Sequence, residues 1–115
     1  MMTLGESRIY VYRPAVDFRL SINGLSVLVQ DVLQLDLMAR HWFVFTNRHR
    51  NRVKILYWQH NVFCLWLKRL EQERFVWPKT DADVLELSAQ QLQWLLEGYN
   101  INILKPHAAL NVSYV

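Results

Sequence analysis

Residues that cross-link a chain or interrupt its regular structure are few: one cysteine, three glycines and three prolines among 115 residues. A single cysteine, Cys64, excludes an internal disulfide, which is typical of proteins in a reducing cytoplasm. Because Cys64 lies inside an apolar run, we expect its side chain to be a small buried hydrophobic group.

Long apolar runs are also missing. No uninterrupted apolar stretch approaches the roughly 18 residues that cross a membrane as a helix. The first residues, MMTLGESRIYVYR, lack a basic region followed by an apolar one, so they show no export signal. We therefore expect a cytoplasmic protein that has no membrane partner.

The motifs of common catalytic and metal sites are missing as well. None of the histidines (His41, His49, His60 and His107) lies at a short zinc-ligand spacing from another histidine or from Cys64. No nucleophile elbow, phosphate-binding loop or dinucleotide fingerprint is present. Two-metal strand transfer needs converging carboxylates, whereas the acidic residues here fall mostly in predicted turns and helix starts. We predict that the protein is not an enzyme and needs neither a metal nor another cofactor.

What is present indicates one globular domain. Hydrophobic residues make up 52% of the chain and charged residues 20%, far from the composition of disordered proteins. A chain of this length buries a real core but is too short for two domains. We predict a single domain over residues 1–100. The tail, 101–115, is interpreted as a docked strand, an exchanged arm or a disordered segment.

Short strands dominate the centre of the chain. Val, Ile, Phe, Tyr and Trp crowd into runs between short polar breaks, which favours strands because these side chains lose rotamer freedom in a helix. We predict four strands in meander order, at residues 42–46, 52–59, 62–70 and 74–77. In 62–70 both alternating sets of side chains are apolar, so we expect this strand to be central and covered on both faces.

A first helix is predicted before these strands. Ser21 is its candidate N-cap residue. Apolar residues then recur at helical spacing, at Leu25, Leu28, Val29, Val32 and Leu33. Gly24 lies in the first turn, where its missing side chain predicts a close approach of the helix backbone to the sheet.

A second helix follows the strands. Ser88 and Gln91 form a capping-box pattern, and Gly98 is placed to end the helix in the left-handed conformation. Residues 9–13 are predicted to form a further short strand, and residues 84–87 a brief strand or an extended segment. The sequence therefore predicts an α+β fold, a mainly antiparallel β-meander sheet with two helices packed against it.

Positive charge is concentrated on the predicted strands. Between Arg40 and Thr80 the sequence has nine Lys or Arg and two Glu, a net charge of +7, whereas the whole chain carries +3. Four of these cations, Arg48, Arg50, Arg52 and Lys54, fall in and beside one predicted hairpin loop. Such a cluster favours contact with nucleic-acid phosphates. The alternative is a solvated hairpin tip whose charge only keeps the protein in solution.

A second basic group surrounds the last predicted hairpin. Lys68 and Arg74 are candidate phosphate contacts, and Lys68 and Arg69 should point to opposite faces of their strand. The alternative is a cross-strand ion pair of Arg69 or Arg74 with a glutamate. Tryptophans on the strands, Trp58, Trp66 and Trp77, are candidates for stacking on unpaired bases or for packing in the core.

These motifs together resemble TnpB, the small accessory protein of a class of bacterial insertion sequences. The resemblance rests on F-V-F-x-N-R at 43–48, R-x-K-I-L-Y-W at 52–58, F-C-L-W-x-K-R-L-E at 63–71 and R-F-x-W-P at 74–78. Upstream, D-F-R and I-N-G-L at 17–19 and 22–25 are similar to the family pattern. Downstream, the matching residues are L-x-L-S at 85–88, Q-L at 91–92 and L-L-E-G at 95–98.

The sequence departs from that pattern at two places. Family members usually carry a glycine-bearing turn after the Tyr-Trp pair, whereas this chain has Gln-His-Asn-Val at 59–62. Without glycine, Asn61 is the residue best suited to a positive φ angle. The lysine that follows the D-F-R motif in the family is Leu20 here, so a role for that lysine does not carry over.

The resemblance implies a protein of a mobile element, encoded beside a larger transposase. We expect a non-catalytic accessory factor for DNA transposition that binds DNA through the basic hairpin and cooperates with the transposase of the same element. The alternative is a protein-interaction module, a transposase adaptor or a homo-oligomer, that makes no direct contact with DNA.

Overall fold

The computed structural model describes residues 8–34, 36 and 39–104. Within these residues the chain forms five strands and two α-helices. In chain order they are β1 (Arg8–Tyr12), α1 (Ile22–Leu28), β2 (His41–Thr46), β3 (Arg52–Gln59), β4 (Val62–Arg69), β5 (Val84–Leu87) and α2 (Ala89–Leu96). A π-helical segment, Val29–Leu33, continues α1. The predicted tail lies outside the described residues from residue 105 onward.

The strands form one sheet in the order β4-β3-β2-β1-β5. β1 runs parallel to β2, and the other neighbouring strands are antiparallel. The predicted α+β class, with a mainly antiparallel sheet and two helices, is confirmed, although the sheet is mixed. The parallel pair follows from the connection, because a chain that returns through a helix enters the next strand in the same direction.

The prediction that residues 62–70 form a central strand is wrong. β4 lies at one edge of the sheet that the described residues form, and β2 is the strand in the middle. Trp42 to Thr46 in β2 are all buried, as its unbroken apolar sequence allows. Both alternating sets of side chains in β4 are apolar because each face of the strand packs against a different core. Leu65 packs against the core on one face of the sheet and Trp66 against the core on the other. Cys64 is half-buried rather than buried.

Each face of the sheet carries its own core. On the face that α2 covers, Val44 and Ile55 pack with Leu92 and Leu95. On the face that α1 covers, Phe43, Phe45 and Leu56 pack with Leu25 and Val29. Because successive side chains of a strand point to opposite faces, β2 and β3 contribute to both cores.

The predicted strand at residues 74–77 is wrong, since this segment forms no ladder. Its backbone makes one hydrogen bond to the β2–β3 loop, from Phe75 N to Arg50 O at 2.7 Å. The Trp77 indole donates to the Tyr12 carbonyl at 3.2 Å. Both aromatic side chains are buried in the core under α2. The segment is therefore held by its side chains, and its Val, Phe and Trp content, which resembles a strand, serves core packing instead.

The two helices begin differently. Ser21 occupies the N-cap position of α1, but its side chain makes no capping hydrogen bond. A Cβ at Gly24 would lie 2.6 Å from Leu20 Cδ2, so the close approach that this glycine allows is to Leu20 rather than to the sheet. In α2 the predicted capping box of Ser88 and Gln91 is present, with both hydrogen bonds formed. Gly98 follows α2 with φ +90°.

The turn between β3 and β4 also follows expectation. Asn61 has φ +63°, as predicted from the missing glycine, and His60 before it has φ +52°. Two successive left-handed residues are typical of the tight hairpin turns that match the twist of antiparallel strands.

None of the described helices is long and apolar enough to cross a membrane.

Candidate nucleic-acid interface

The loop between β2 and β3 is organised by one buried side chain, Asn47. Its Oδ1 atom accepts hydrogen bonds from the amides of Asn51 and Arg52, both at 3.1 Å, and its Nδ2 atom donates to Asn51 Oδ1 at 2.7 Å. The Asn47 carbonyl also accepts from the Arg50 amide at 3.1 Å. An asparagine suits this position because its short amide side chain can replace backbone partners in a turn.

This loop is also bound to the segment that follows β4. The Leu70 amide donates to Asn51 O at 2.8 Å, and the Phe75 amide donates to Arg50 O at 2.7 Å. Arg50 itself has φ +56°, an unusual conformation for a residue with a long side chain. The loop therefore has a defined shape, and it brings Arg74 next to the arginines at 48–52.

Three of the predicted contact residues, Arg48, Arg52 and Arg74, are exposed at this end of the sheet. None of them forms an ion pair with a described residue. Arg52 lies directly opposite Arg69 in the β3–β4 ladder, so two guanidinium groups project from the same face. Arg69 pairs with Glu71 at 2.9 Å, so the partner is a glutamate as the alternative expected, but the pair is local in the chain rather than cross-strand. The structure thus brings Arg48, Arg50, Arg52 and Arg74 together at one end of the molecule.

Lys54 is placed differently from its neighbours. Its ammonium group donates to the carbonyls of Phe18 at 2.9 Å and Leu20 at 2.8 Å, and it lies 4.7 Å from the centre of the Phe18 ring. Burial, together with the nearby Arg52, lowers the pKa of Lys54. This lysine ties the segment before α1 to the sheet. Its contact with DNA stays a prediction.

Lys68 faces the other side of the sheet, so Lys68 and Arg69 do point to opposite faces as predicted. Its ammonium group donates to Leu96 O at 2.7 Å, in the last turn of α2. A cation there is favourable because the final carbonyls of a helix have no partner within the helix. Lys68 therefore anchors α2 to β4, and its contact with DNA also stays a prediction.

Asp17 and Arg19 form a local pair beside the loop. The carboxylate accepts from the Arg19 amide at 2.9 Å and from its guanidinium Nε atom. These hydrogen bonds from Arg19 lower the pKa of Asp17 to about 2. The pair is exposed and lies where the chain turns into α1.

The tryptophans divide between the core and the surface. Trp77 is buried and Trp66 packs partly buried against the core under α2. Trp58 is half-buried and meets Phe63 edge-on, with ring centres 4.7 Å apart. Trp58 lies at the β3–β4 turn, at the opposite end of β3 from Arg52, so the exposed arginines and this ring do not form one surface.

The sequence did not predict which residues order the loop or line the groove beside it. Asn47 was part of the family motif, and an asparagine directly after an apolar strand is a signal for a side-chain-stabilised turn. Arg13 and Lys79 were not singled out, yet both line a groove together with Arg50. No signal in the sequence shows that these three cations, far apart along the chain, share one cavity.

Among the described residues, no three His, Cys, Asp or Glu side chains are grouped so that they could hold a metal ion.

Comparison with known proteins agrees with the resemblance in the motifs. The family model described as "IS66 Orf2 like protein" matches residues 7–106. The chain belongs to this family. The IS66 Orf2-like match indicates a transposition-associated accessory protein.

Two proteins of Sinorhizobium fredii (strain NBRC 101917 / NGR234) are similar to this member of the IS66 Orf2-like family. Uncharacterized protein y4hO is 32% identical over 99 residues, which cover 85% of this chain and 86% of the relative. Uncharacterized protein y4jC is 33% identical over 91 residues, which cover 79% of this chain and 78% of the relative. No solved structure matches the chain significantly.

Proposed function

We propose that this IS66 Orf2-like protein binds DNA phosphates through the arginines at the β2–β3 end of the sheet and cooperates with the transposase of the same element. The contact residues are Arg48, Arg50, Arg52 and Arg74. Lys54 and Lys68 add positive potential, while their ammonium groups stay on backbone carbonyls. The transposase supplies the chemistry and the recognition of specific bases.

One observation carries the proposal: exposed arginines gather at one end of the fold without carboxylate partners among the described residues. Arg52 and Arg69 even face each other across β3 and β4. Like charges directly opposite one another destabilise a sheet, and Glu71 neutralises only one of the two. A bound polyanion removes this repulsion. Phosphate contacts of this kind position a protein on DNA but do not read its sequence.

A salt titration tests the proposal. We expect log affinity for DNA to fall linearly with log salt concentration, with a similar slope for the terminal sequence of the element and for random DNA. Replacing Arg48, Arg52 and Arg74 by glutamine should reduce the slope by about two to three, because each duplex phosphate contact contributes about 0.9. These side chains are exposed, so the variant should fold.

The matched control is Arg19→Gln, which removes an exposed cation that is already paired with Asp17. The slope for this variant should stay near that of the original protein. Affinity and slope that do not change in the triple variant would exclude the arginine end as the DNA surface. Tighter binding to the terminal sequence, kept at high salt, would show that the protein reads bases itself.

A second candidate function, the protein-interaction module, is favoured by the outer edge of β4. The described residues leave this edge without a neighbouring strand, and Val62 and Leu67 on it are 54% and 55% exposed. Unpaired strand edges accept an added strand from a partner. Binding to the transposase that is insensitive to salt, and is lost in Leu67→Lys while DNA binding remains, would favour this function over direct DNA contact.

A further inference from the structure

A groove of about 860 Å³ opens beside the β2–β3 loop, and Arg52 is not among the described residues that line it. Arg13, Arg50 and Lys79 line it, together with the polar residues Thr80 and Asp81. Its floor is the segment 75–78, whose Phe75 and Trp77 side chains are buried in the core beneath. Among the described residues, three cations and one carboxylate thus line a cavity whose floor is largely apolar.

Arg50 has an unmet hydrogen-bonding requirement in this groove. Its Nη1 atom is buried and has no hydrogen-bond partner among the described residues. Leaving a buried charged donor unpaired is costly, so such groups in folded proteins usually have a partner. Because this atom has almost no accessible surface, an acceptor in the groove would meet this requirement once the Arg50 guanidinium turns toward it.

The walls of the groove are fixed before anything binds. On one side, Arg50 is held in its left-handed conformation by the hydrogen bond from the Phe75 amide to its carbonyl. On the other, Asn102 accepts from the Lys79 amide at 2.8 Å and donates to Trp77 O at 3.3 Å. A site that is already ordered loses little conformational entropy when it binds a ligand.

Arg13 closes the third side. Its Nε atom donates to Ala82 O at 3.0 Å, and its Nη2 atom donates to Asp83 Oδ1 at 3.2 Å. These contacts hold the guanidinium at the groove, where it contributes charge while Arg50 and Lys79 supply the free donors. Because Asp81 is the one carboxylate among the described residues of the lining, the groove suits an anion rather than a cation.

We propose that this groove binds a phosphate group, with the Arg50 guanidinium group and the Lys79 ammonium group donating to its oxygens. The tetrahedral oxyanion offers several acceptors to cations that approach from different walls, and guanidinium groups match its geometry. The identification of this phosphate as part of DNA rests on the proposed function. The affinity of the groove for phosphate does not.

The first experiment uses inorganic phosphate and the full chain. We expect NMR signals of the Arg50 side-chain Nε–H group and the Thr80 amide to shift and saturate with phosphate, but not with chloride at equal ionic strength. Arg50→Gln should remove the saturable shift of the Thr80 amide, and Lys79→Gln should weaken binding about threefold. Arg8→Gln, at the far end of β1, should change nothing. No saturable shift in the original protein, or equal shifts in Arg50→Gln, would overturn the proposal, as would tighter binding of acetate.

The second experiment asks whether the phosphate belongs to DNA. Lys79 lies outside the β2–β3 loop, so Lys79→Gln separates the groove from the proposed loop contacts. If DNA occupies the groove, this variant should reduce the salt slope by about one. A normal slope for Lys79→Gln with a reduced slope for Arg52→Gln would show that DNA uses the loop and not the groove. Failure of the original protein to bind DNA, with the phosphate shifts intact, would overturn the proposed function alone.

Discussion

β3 is connected to β2 at one end and to β4 at the other. The two connections share little except that each contains residues with left-handed backbone geometry. The β2–β3 loop, residues 47–51, is basic, has a buried asparagine at its base and is hydrogen-bonded to the chain after β4. The β3–β4 turn is just His60 and Asn61, both exposed, with φ +52° and +63°. One connection builds a surface, whereas the other only reverses the chain. The comparison shows that charge and order occur together at one end of the sheet.

Asn47→Ala should have the largest effect on this comparison. The change removes the side-chain acceptor of two backbone amides and the donor to Asn51, all within the loop. We expect the free energy of unfolding to fall by about 2–3 kcal/mol, since each net hydrogen bond is worth about 1 kcal/mol. Urea denaturation measures this value. Asn61→Ala is the matched control and should cost less, because no side-chain hydrogen bond of Asn61 is lost.

The same variant separates order from charge in the proposed DNA surface. Asn47→Ala keeps every arginine, so the salt slope should remain while overall affinity falls as the loop loses its shape. If the affinity of the folded variant equals that of the original protein, the rigid geometry of the loop contributes nothing to binding.

Lys54→Met should have the next largest effect. Methionine keeps the apolar stem but removes two hydrogen bonds to the carbonyls of Phe18 and Leu20. Hydrogen bonds of charged groups are stronger than neutral ones, but the loss is offset because a partly buried charge no longer has to be desolvated. We expect a loss of about 1–2 kcal/mol in urea denaturation. A stability equal to that of the original protein would show that Lys54 does not hold the α1 segment to the sheet.

Much of this fold follows from local sequence signals. The capping box at Ser88, the left-handed Asn61 and the α+β class were all predicted from residue type and spacing, because each depends on neighbours a few positions away. The order of the strands was not. β4 and β2 are both rich in apolar residues, and only the parallel pairing of β1 with β2 decides which of them is central.

The candidate site divides in the same way. The cluster of cations at 48–54 was visible in the sequence, but the partners of each cation were not. Lys54 binds carbonyls 34 and 36 residues away, and Lys68 binds one 28 residues away. Contacts over such distances follow from the packing of helices on the sheet. The prediction of a strand at 74–77 failed for a related reason, since burial of Phe75 and Trp77 needs no ladder.

Asn61→Gly should stabilise the fold by about 0.5 kcal/mol, because glycine adopts a left-handed conformation without a Cβ penalty. The thermal midpoint should rise slightly, and DNA affinity should not change. His60→Gly is a comparison at the neighbouring position. A change in DNA binding by either variant would contradict the view that the β3–β4 turn only reverses the chain.

Arg52→Gln should have the smallest effect on stability and should show how the basic end differs from that turn. Removing one of two opposed guanidinium groups relieves repulsion across β3 and β4, so stability at low salt should rise by a few tenths of a kcal/mol. The gain should vanish at high salt, where exposed charges are screened. Arg48→Gln, which faces no such partner in the ladder, is the control. If Arg52→Gln raises the stability of the free protein and lowers its affinity for DNA, then the arginines at this end destabilise the fold but serve phosphate binding. A loss of stability at low salt would instead mean that Arg52 serves the fold.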